Sequence, residues 1–299
     1  MRVWYSDPWE VPLPEGHRFP MGKYRRVRER LLELGVMASD ECVLAEPVSE
    51  RDLLRVHTAS YVRACFDGTL DEAAQRRIGF PWSPALLTRS LASAGGTLAA
   101  SRWAMERGVA GNLAGGTHHA HADFGSGYCV FNDLAVAAAT LLDEGRVERV
   151  LVVDLDVHQG DGTAAIFQRE PRVFTFSMHG AKNFPFRKQT STRDVELPDG
   201  CDDARYLALL DEHLPEVFEA SAPSLVLYQA GVDALKEDTL GRLHLTHAGL
   251  RERDRRVFDL CWSRAVPVVV TLGGGYARPI EATIEACVGT YVELRRRFG

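Results

Sequence analysis

The run Val150-Leu-Val-Val-Asp154-Leu-Asp156-Val-His158-Gln-Gly-Asp161-Gly162 opens as an unbroken apolar stretch and then sets ionisable groups two residues apart. An apolar run without Gly or Pro reads as a strand buried on both faces of a parallel sheet. Carboxylates do not belong there without partners, because stripping them of water costs several kcal/mol. Strand alternation predicts that Asp154, Asp156 and His158 project from one face near the C-terminal end. Open α/β sheets bind their ligands at that end. Two carboxylates and one imidazole suit a divalent metal of the zinc type, with positions left for water or substrate. The alternative is a buried Asp–His hydrogen-bond network with no metal.

Three other apolar runs end in the same way. Val109–Ala114 leads into Gly115-Gly116-Thr117-His118-His119-Ala120-His121, Ser224–Gln229 into Ala230-Gly231-Val232-Asp233, and Val266–Leu272 into Gly273-Gly274-Gly275-Tyr276. With Asp233 as a third ligand beside Asp156 and His158, a metal would polarise a substrate carbonyl and acidify a water. His118 and His119 each need a partner to fix the tautomer. Asp154 and Asp161 are the acids left over, so two His–Asp dyads are expected, one serving as general base and then as general acid for a leaving amine. Tyr276 could bring a phenol to an oxyanion. The competing reading makes the histidines exposed turn residues and Tyr276 a surface cap, but a tandem His pair after Gly-Gly is uncommon as turn punctuation. His121 is expected just beyond the pair, His57 as a satisfied structural residue, and His17, His213, His244 and His247 as exposed or capping. His179 is expected near the site.

These groups must be held by strands and helices in alternation. Strand-like runs lie at Arg2–Tyr5, Val109–Ala114, Val150–Val157, Arg172–Ser177, Ser224–Gln229 and Val266–Leu272. Helix-like stretches lie at Lys23–Leu34, Pro84–Arg107, Asp133–Glu144, Asp202–Glu219, His247–Arg264 and Arg278–Arg297. The alternation predicts an α/β domain, a parallel sheet wrapped by helices. Met178–Gly200 reads as a long loop.

The 299 residues are 45% apolar and 25% charged, with net charge −6, an ordinary soluble balance that gives nucleic-acid binding no electrostatic support. The basic clusters Lys23–Arg28 and Arg251–Arg256 read as solvated helix faces. The six cysteines include no C-x-x-C pair and are expected to be reduced, mostly buried thiols of a cytoplasmic protein. No run reaches membrane-spanning length, so no membrane partner is expected.

Five motifs in order, Gly115–His119, Ser126-Gly-Tyr-Cys-Val-Phe-Asn-Asp133, Asp154–Gly162, Gln229–Asp233 and Gly273–Tyr276, make the chain resemble the zinc-dependent histone deacetylase superfamily over residues 15–290. The resemblance implies one arginase/deacetylase-like domain over 1–299, three-layered, with a mostly parallel sheet of about eight strands and helices on both faces. It implies a metal-dependent amidohydrolase that removes acyl groups from acyl-lysine, with one Zn²⁺ per chain and a K⁺ ion. Asp156, His158 and Asp233 match the zinc ligands. His119 with Asp161 matches the general base and acid, His118 with Asp154 the electrostatic partner, and Tyr276 the oxyanion donor. Gly127 and Tyr128 match the tunnel wall, with Phe184 or Phe186 opposite. Asp154, Asp156, His158, Ser177 and Met178 match an inner potassium site, and Phe167, Glu170, Val173 and Arg193 a second. Tyr128 and Gln159 depart from the common eukaryotic deacetylases, and His158-Gln-Gly with the segment Asp233–Leu243 looks closest to the class IV branch and its bacterial relatives, some of which remove long fatty acyl groups. Hydrolysis of acetylpolyamines or other small amides on the same fold is the alternative, and the partner is accordingly an acyl-lysine protein or a small acylated amine.

Overall fold

All six expected strands lie in one sheet of the computed structural model, which describes residues 1–299. In chain order the elements are β1 (Arg2–Tyr5), α1 (Lys23–Glu33), β2 (Cys42–Leu44), α2 (Glu50–Leu53), α3 (Ala59–Asp67), α4 (Glu72–Ile78), α5 (Pro84–Arg107), β3 (Val109–Asn112), α6 (Asp133–Asp143), β4 (Val150–Asp154), α7 (Asp161–Phe167), β5 (Val173–Gly180), β6 (Arg193–Leu197), α8 (Asp203–Ser221), β7 (Leu225–Gln229), α9 (His247–Ser263), β8 (Val268–Thr271) and α10 (Glu281–Phe298). The eight strands run in the order β2-β1-β3-β8-β7-β4-β5-β6, and every pair is parallel. The expected three-layer α/β domain is therefore present.

Strand alternation sorts the core. Leu151, Val153, Val226 and Tyr228 face α8, α9 and α10, meeting Leu210, Phe218, Phe258 and Tyr291. Val150, Val152, Leu227 and Val269 face the opposite layer, meeting Ala100 of α5, Leu134 and Leu141 of α6, and Phe167 of α7. Both faces of β4, β7 and β8 are buried, which is why their sequences carry no polar alternation.

Two strands, and the ends of two others, depart from the sequence expectation. The edge strands β2 and β6 are not among the apolar runs. Strand β6 falls inside Met178–Gly200, and β5 extends through Met178 and His179 to Gly180. In β6 only Val195 and Leu197 are buried, so its period-two signal is short and diluted by charge. Strand β4, conversely, stops at Asp154 rather than Val157. The Leu155 amide still donates to the Gln229 carbonyl (3.1 Å). The next three amides donate instead to carboxylates: Asp156 to Asp154 (3.3 Å), Val157 to Asp233 (2.9 Å) and His158 to Asp156 (3.0 Å). Side-chain acceptors replace the ladder, so Asp154, Asp156 and His158 do not share one face of a continuous strand.

The two basic clusters are only partly solvated. Lys23 and Arg253 are buried, at 1% and 0% exposure. Arg253 on α9 donates to the carbonyls of Leu155 (3.2 Å), Gly231 (2.6 Å) and Ala230 (3.2 Å) and to the Asp254 carboxylate (2.9 Å). Asp254 also accepts the hydroxyls of Tyr228 (2.5 Å) and Thr290 (2.6 Å). One buried cation thus ties together the loops that leave β4 and β7. Five of the six cysteines are buried, all six are free, and no helix is long and apolar enough to cross a membrane. Arg253→Met should cost about 3–5 kcal/mol, because it leaves Asp254 buried without its countercharge and frees three carbonyls. Urea denaturation with an unchanged slope measures this; a loss below about 1 kcal/mol would mean the site loops do not depend on the cluster.

Candidate active site

Four adjacent strands at the middle of the sheet, β3, β8, β7 and β4, end on one rim. Their C-terminal loops supply the floor of a cavity of about 600 Å³ that His118, His119, Asp156, His158, Asp233 and Tyr276 line together. Asp156, His158 and Asp233 each bring a ligand atom to within 4.8 Å of the others, and all three are buried. His158 Nδ1 lies 3.0 Å from Asp156 Oδ1 and 3.1 Å from Asp233 Oδ2. Asp156 Oδ2 accepts from Gln229 Nε2 and from the Gly274 amide, both at 2.8 Å. Gly274 must be glycine, since a Cβ there would stand 1.9 Å from Asp233 Oδ2.

These residues fit a divalent cation on charge as well as donor type. Burial opposes the charge on His158, but its bonds to the two carboxylates outweigh that and raise the imidazole to about 10. Burial and the neighbouring Asp156 push Asp233 up to about 7. Two desolvated carboxylates therefore have one imidazole between them, a shortage of positive charge that a divalent cation would fill.

Both expected dyads are formed. His118 Nδ1 is 2.7 Å from Asp154 Oδ2, and His119 Nδ1 is 2.6 Å from Asp161 Oδ1. Each ring therefore donates from Nδ1, leaving Nε2 for the cavity. The two rings lie 4.1 Å apart between centroids, yet their surroundings push them in opposite directions. Burial opposes charging of His118, while Asp154 and Asp156 overcome it and raise the group to about 9. Burial, reinforced by the charge on His118, lowers His119 to about 4. His119 is thus the neutral imidazole at ordinary pH.

The supports for this turn include residues the sequence reading quoted without assigning a role. Asp133 accepts the amides of Gly116 (3.0 Å) and Thr117 (2.7 Å) and the Thr117 hydroxyl (2.6 Å). Asn132 Nδ2 donates to the Ala120 carbonyl (3.0 Å). His121 Nε2 donates to the second oxygen of Asp161 (3.1 Å), so the dyad acid is shared by two rings. Asn-Asp opening an apolar helix was the available signal, since both side chains suit an N-terminus. His57 is satisfied by the His121 carbonyl and the Asn132 amide, each at 3.0 Å, as expected of a structural residue.

Tyr276 sits half-buried at the cavity, with its backbone clasped from both sides. Its amide donates to Asp238 (2.6 Å) and its carbonyl accepts the Thr239 hydroxyl (2.8 Å). Lys23 Nζ, far from solvent, donates to the carbonyls of Gly273 (3.1 Å) and Gly275 (3.3 Å) and lies 5.1 Å from the Tyr276 ring centroid. This lysine holds the glycine loop, a role its place in a basic helix concealed.

Phe184 supplies the inner wall, its ring centroid 4.9 Å from His119, whereas Phe186 is 85% exposed at the mouth. Gly127 lies opposite Phe184 and packs on His119, so a Cβ there would come within 2.5 Å of the ring. Tyr128 stands 6.0 Å from the Tyr276 ring and 5.1 Å from that of Phe19. Ser177 pairs in register with Asp154 along β5, and Met178, Phe167 and Val173 are buried. Arg193 instead pairs outward with Glu216 (3.1 Å). His179 is buried and bonds Ser177 (3.0 Å). His17 and His247 bond backbone carbonyls, His213 meets Arg193, and His244 is exposed.

Comparison with known proteins identifies the family. The histone deacetylase domain pattern matches residues 17–291. The chain is 48% identical to an uncharacterized protein of Picosynechococcus sp., covering 93% of each. It is 32% identical to histone deacetylase 2 of Arabidopsis thaliana, covering 94% of this chain and 77% of that one. The crystal structure of an HDAC homolog from Aquifex aeolicus superposes with a TM-score of 0.84 at 25% identity, covering 99% of this chain and 84% of that one. The chain belongs to the histone deacetylase family.

Asp133→Asn should loosen the His118–His119 turn, because an amide offers one acceptor where the amides of Gly116 and Thr117 and the hydroxyls of Thr117 and Thr97 now donate to a carboxylate. Bonds to charged groups contribute about 1.5–3 kcal/mol each, so a stability loss of about 2–3 kcal/mol is expected in chemical denaturation. A neutral result would show that the turn is held by the backbone alone.

Proposed function

We propose that residues 1–299 act as one catalytic domain, a zinc-dependent lysine deacylase. The observation that carries this reading is the convergence on one cavity of an Asp156–His158–Asp233 cluster, two His–Asp dyads and the Tyr276 phenol. Asp156, His158 and Asp233 would hold the zinc, which when bound would supply a Lewis acid for the acyl carbonyl and the water. Everything else is done by the chain. His119, kept neutral, takes the proton from the attacking water through Nε2 and returns it to the departing amine, while Asp161 holds its tautomer. His118 remains charged and stabilises negative charge developing beside it. The Tyr276 hydroxyl donates to the oxyanion, and Gly127, Tyr128 and Phe184 hold the lysine stem against water. Potassium is assigned to Asp154, Asp156, His158, Ser177 and Met178, with a second ion at Phe167 and Val173; the buried Asp154 carboxylate suits the first.

The test is a comparison of kcat/KM for acetyl- to myristoyl-lysine peptides against acetylspermidine. Turnover of acyl-lysine is expected, and turnover of acetylspermidine alone would transfer the enzyme to the polyamine amidohydrolases.

Asp233→Asn should strip the divalent metal from the purified protein, measured as metal per chain by mass spectrometry. Full metal content in that variant would remove Asp233 from the ligand set. His119→Ala should lower kcat by about 10²–10⁴-fold, and Tyr276→Phe by about 10²–10³-fold with little change in KM. A rise in KM at constant kcat would make Tyr276 a binding residue.

A further inference from the structure

The cavity mouth carries a charge pattern that the chemistry on its floor does not require. Five basic side chains line it: Arg18 before α1, Arg76 and Arg77 at the end of α4, Lys182 after β5, and Arg242 between β7 and α9. All five are exposed. The carboxylates lining the same cavity, Asp156 and Asp233, belong to the floor. Arg76 pairs with Glu72 (3.0 Å), and Lys182 (3.7 Å) and Arg242 (3.4 Å) share the single Asp199. Arg18 and Arg77 have no carboxylate partner; Arg77 lies over the Phe124 ring at 4.7 Å. Exposed pairs of this kind are weak and exchange readily. The rim is therefore positive on a chain whose net charge is −6, a local concentration rather than a reflection of composition.

We infer that this mouth selects acyl-lysines set in acidic stretches of polypeptide. The inference rests on the deacylase reading and names its substrate class. A polyamine or a basic tail would meet like charge on every side of the opening. A small amine bearing one carboxylate would reach only one or two of the cations, because they stand on four separate segments around the mouth. An extended peptide advances about 3.3 Å per residue, so residues on both sides of the acyl-lysine cross the rim while the lysine stem descends toward Phe184 and His119. The complementarity acts mainly on encounter and is screened by salt.

The experiment uses the metal-loaded enzyme and matched acetyl-lysine peptides with acidic, neutral or basic flanks, at low and at high ionic strength. An exposed pair contributes a factor of about two to five. Several together should favour acidic over basic flanks by about 10–100-fold in kcat/KM at low salt, with most of the preference lost at about 0.5 M salt. The double variant Arg18→Glu/Arg77→Glu should reduce the acidic-to-neutral ratio about tenfold or invert it; taking the ratio within each variant removes any general loss of activity. Equal rates for the three flanks, or a preference for basic ones, overturns the inference and leaves the deacylase reading intact. So does a small acylated amino acid turning over faster than every peptide. Failure to hydrolyse any acyl-lysine, whatever its flanks, overturns the deacylase reading and this inference with it.

Discussion

The arrangement depends on keeping desolvated carboxylates answered by positive charge or by N–H and O–H donors. Asp133, Asp154, Asp156, Asp161 and Asp233 are all buried near the C-terminal ends of four neighbouring strands. In a medium where an isolated carboxylate costs several kcal/mol, each must be matched. Asp133 is matched by amides and hydroxyls, Asp161 by two imidazoles, and Asp154 by His118 and the Asp156 amide. Asp156 and Asp233 have one imidazole between them, together with nearby amides. The shortage of cations is concentrated at that pair, which is where a divalent ion would act.

The same requirement explains the backbone. Carboxylates can take amides from the chain only if it leaves the ladder, and the chain leaves it after the Leu155 amide, one residue past the end of β4. Glycine then lets main chain approach the acids. A Cβ at Gly160 would stand 2.3 Å from Asp154 Oδ2, and one at Gly231 would stand 2.1 Å from Asp156 Oδ2. The glycines that punctuate the sequence motifs thus mark close approach of backbone to charge, more than freedom to turn. Beneath them Arg253 gathers the carbonyls left over when the strands end, doing for the acceptors what the carboxylates do for the donors.

Much of this was legible in the chain itself. Runs such as Ser224–Gln229 and Val266–Leu272 announced buried parallel strands because both faces of β7 and β8 are covered. The residues following them were recognisable because Asp, His and Tyr are costly at such positions without a task. What escaped was whatever depended on tertiary partners. Strand β6 has only two buried side chains, and its strand character comes from pairing with β5. Lys23 and Arg253 sit among basic neighbours at helical spacing, and nothing local tells a solvated cation from one that meets carbonyls of a distant loop. The end of β4 was misplaced because alternation continues in the sequence beyond the point where side-chain acceptors take over the amides.

The difference between His118 and His119 follows from this electrostatics rather than from residue type. Both rings are buried, and both donate through Nδ1 to an aspartate at 2.6–2.7 Å. His118 faces Asp156 as well, with its Nε2 3.9 Å away, and so takes the positive charge. His119 has His118 as its neighbour, and its own acid is shared with His121. A second positive charge 4.1 Å from the first is disfavoured in a buried site. The ring nearer Asp156 is charged first, and the other stays neutral. Adjacent histidines need no difference in residue type to differ in charge; a difference in distance to one carboxylate is enough.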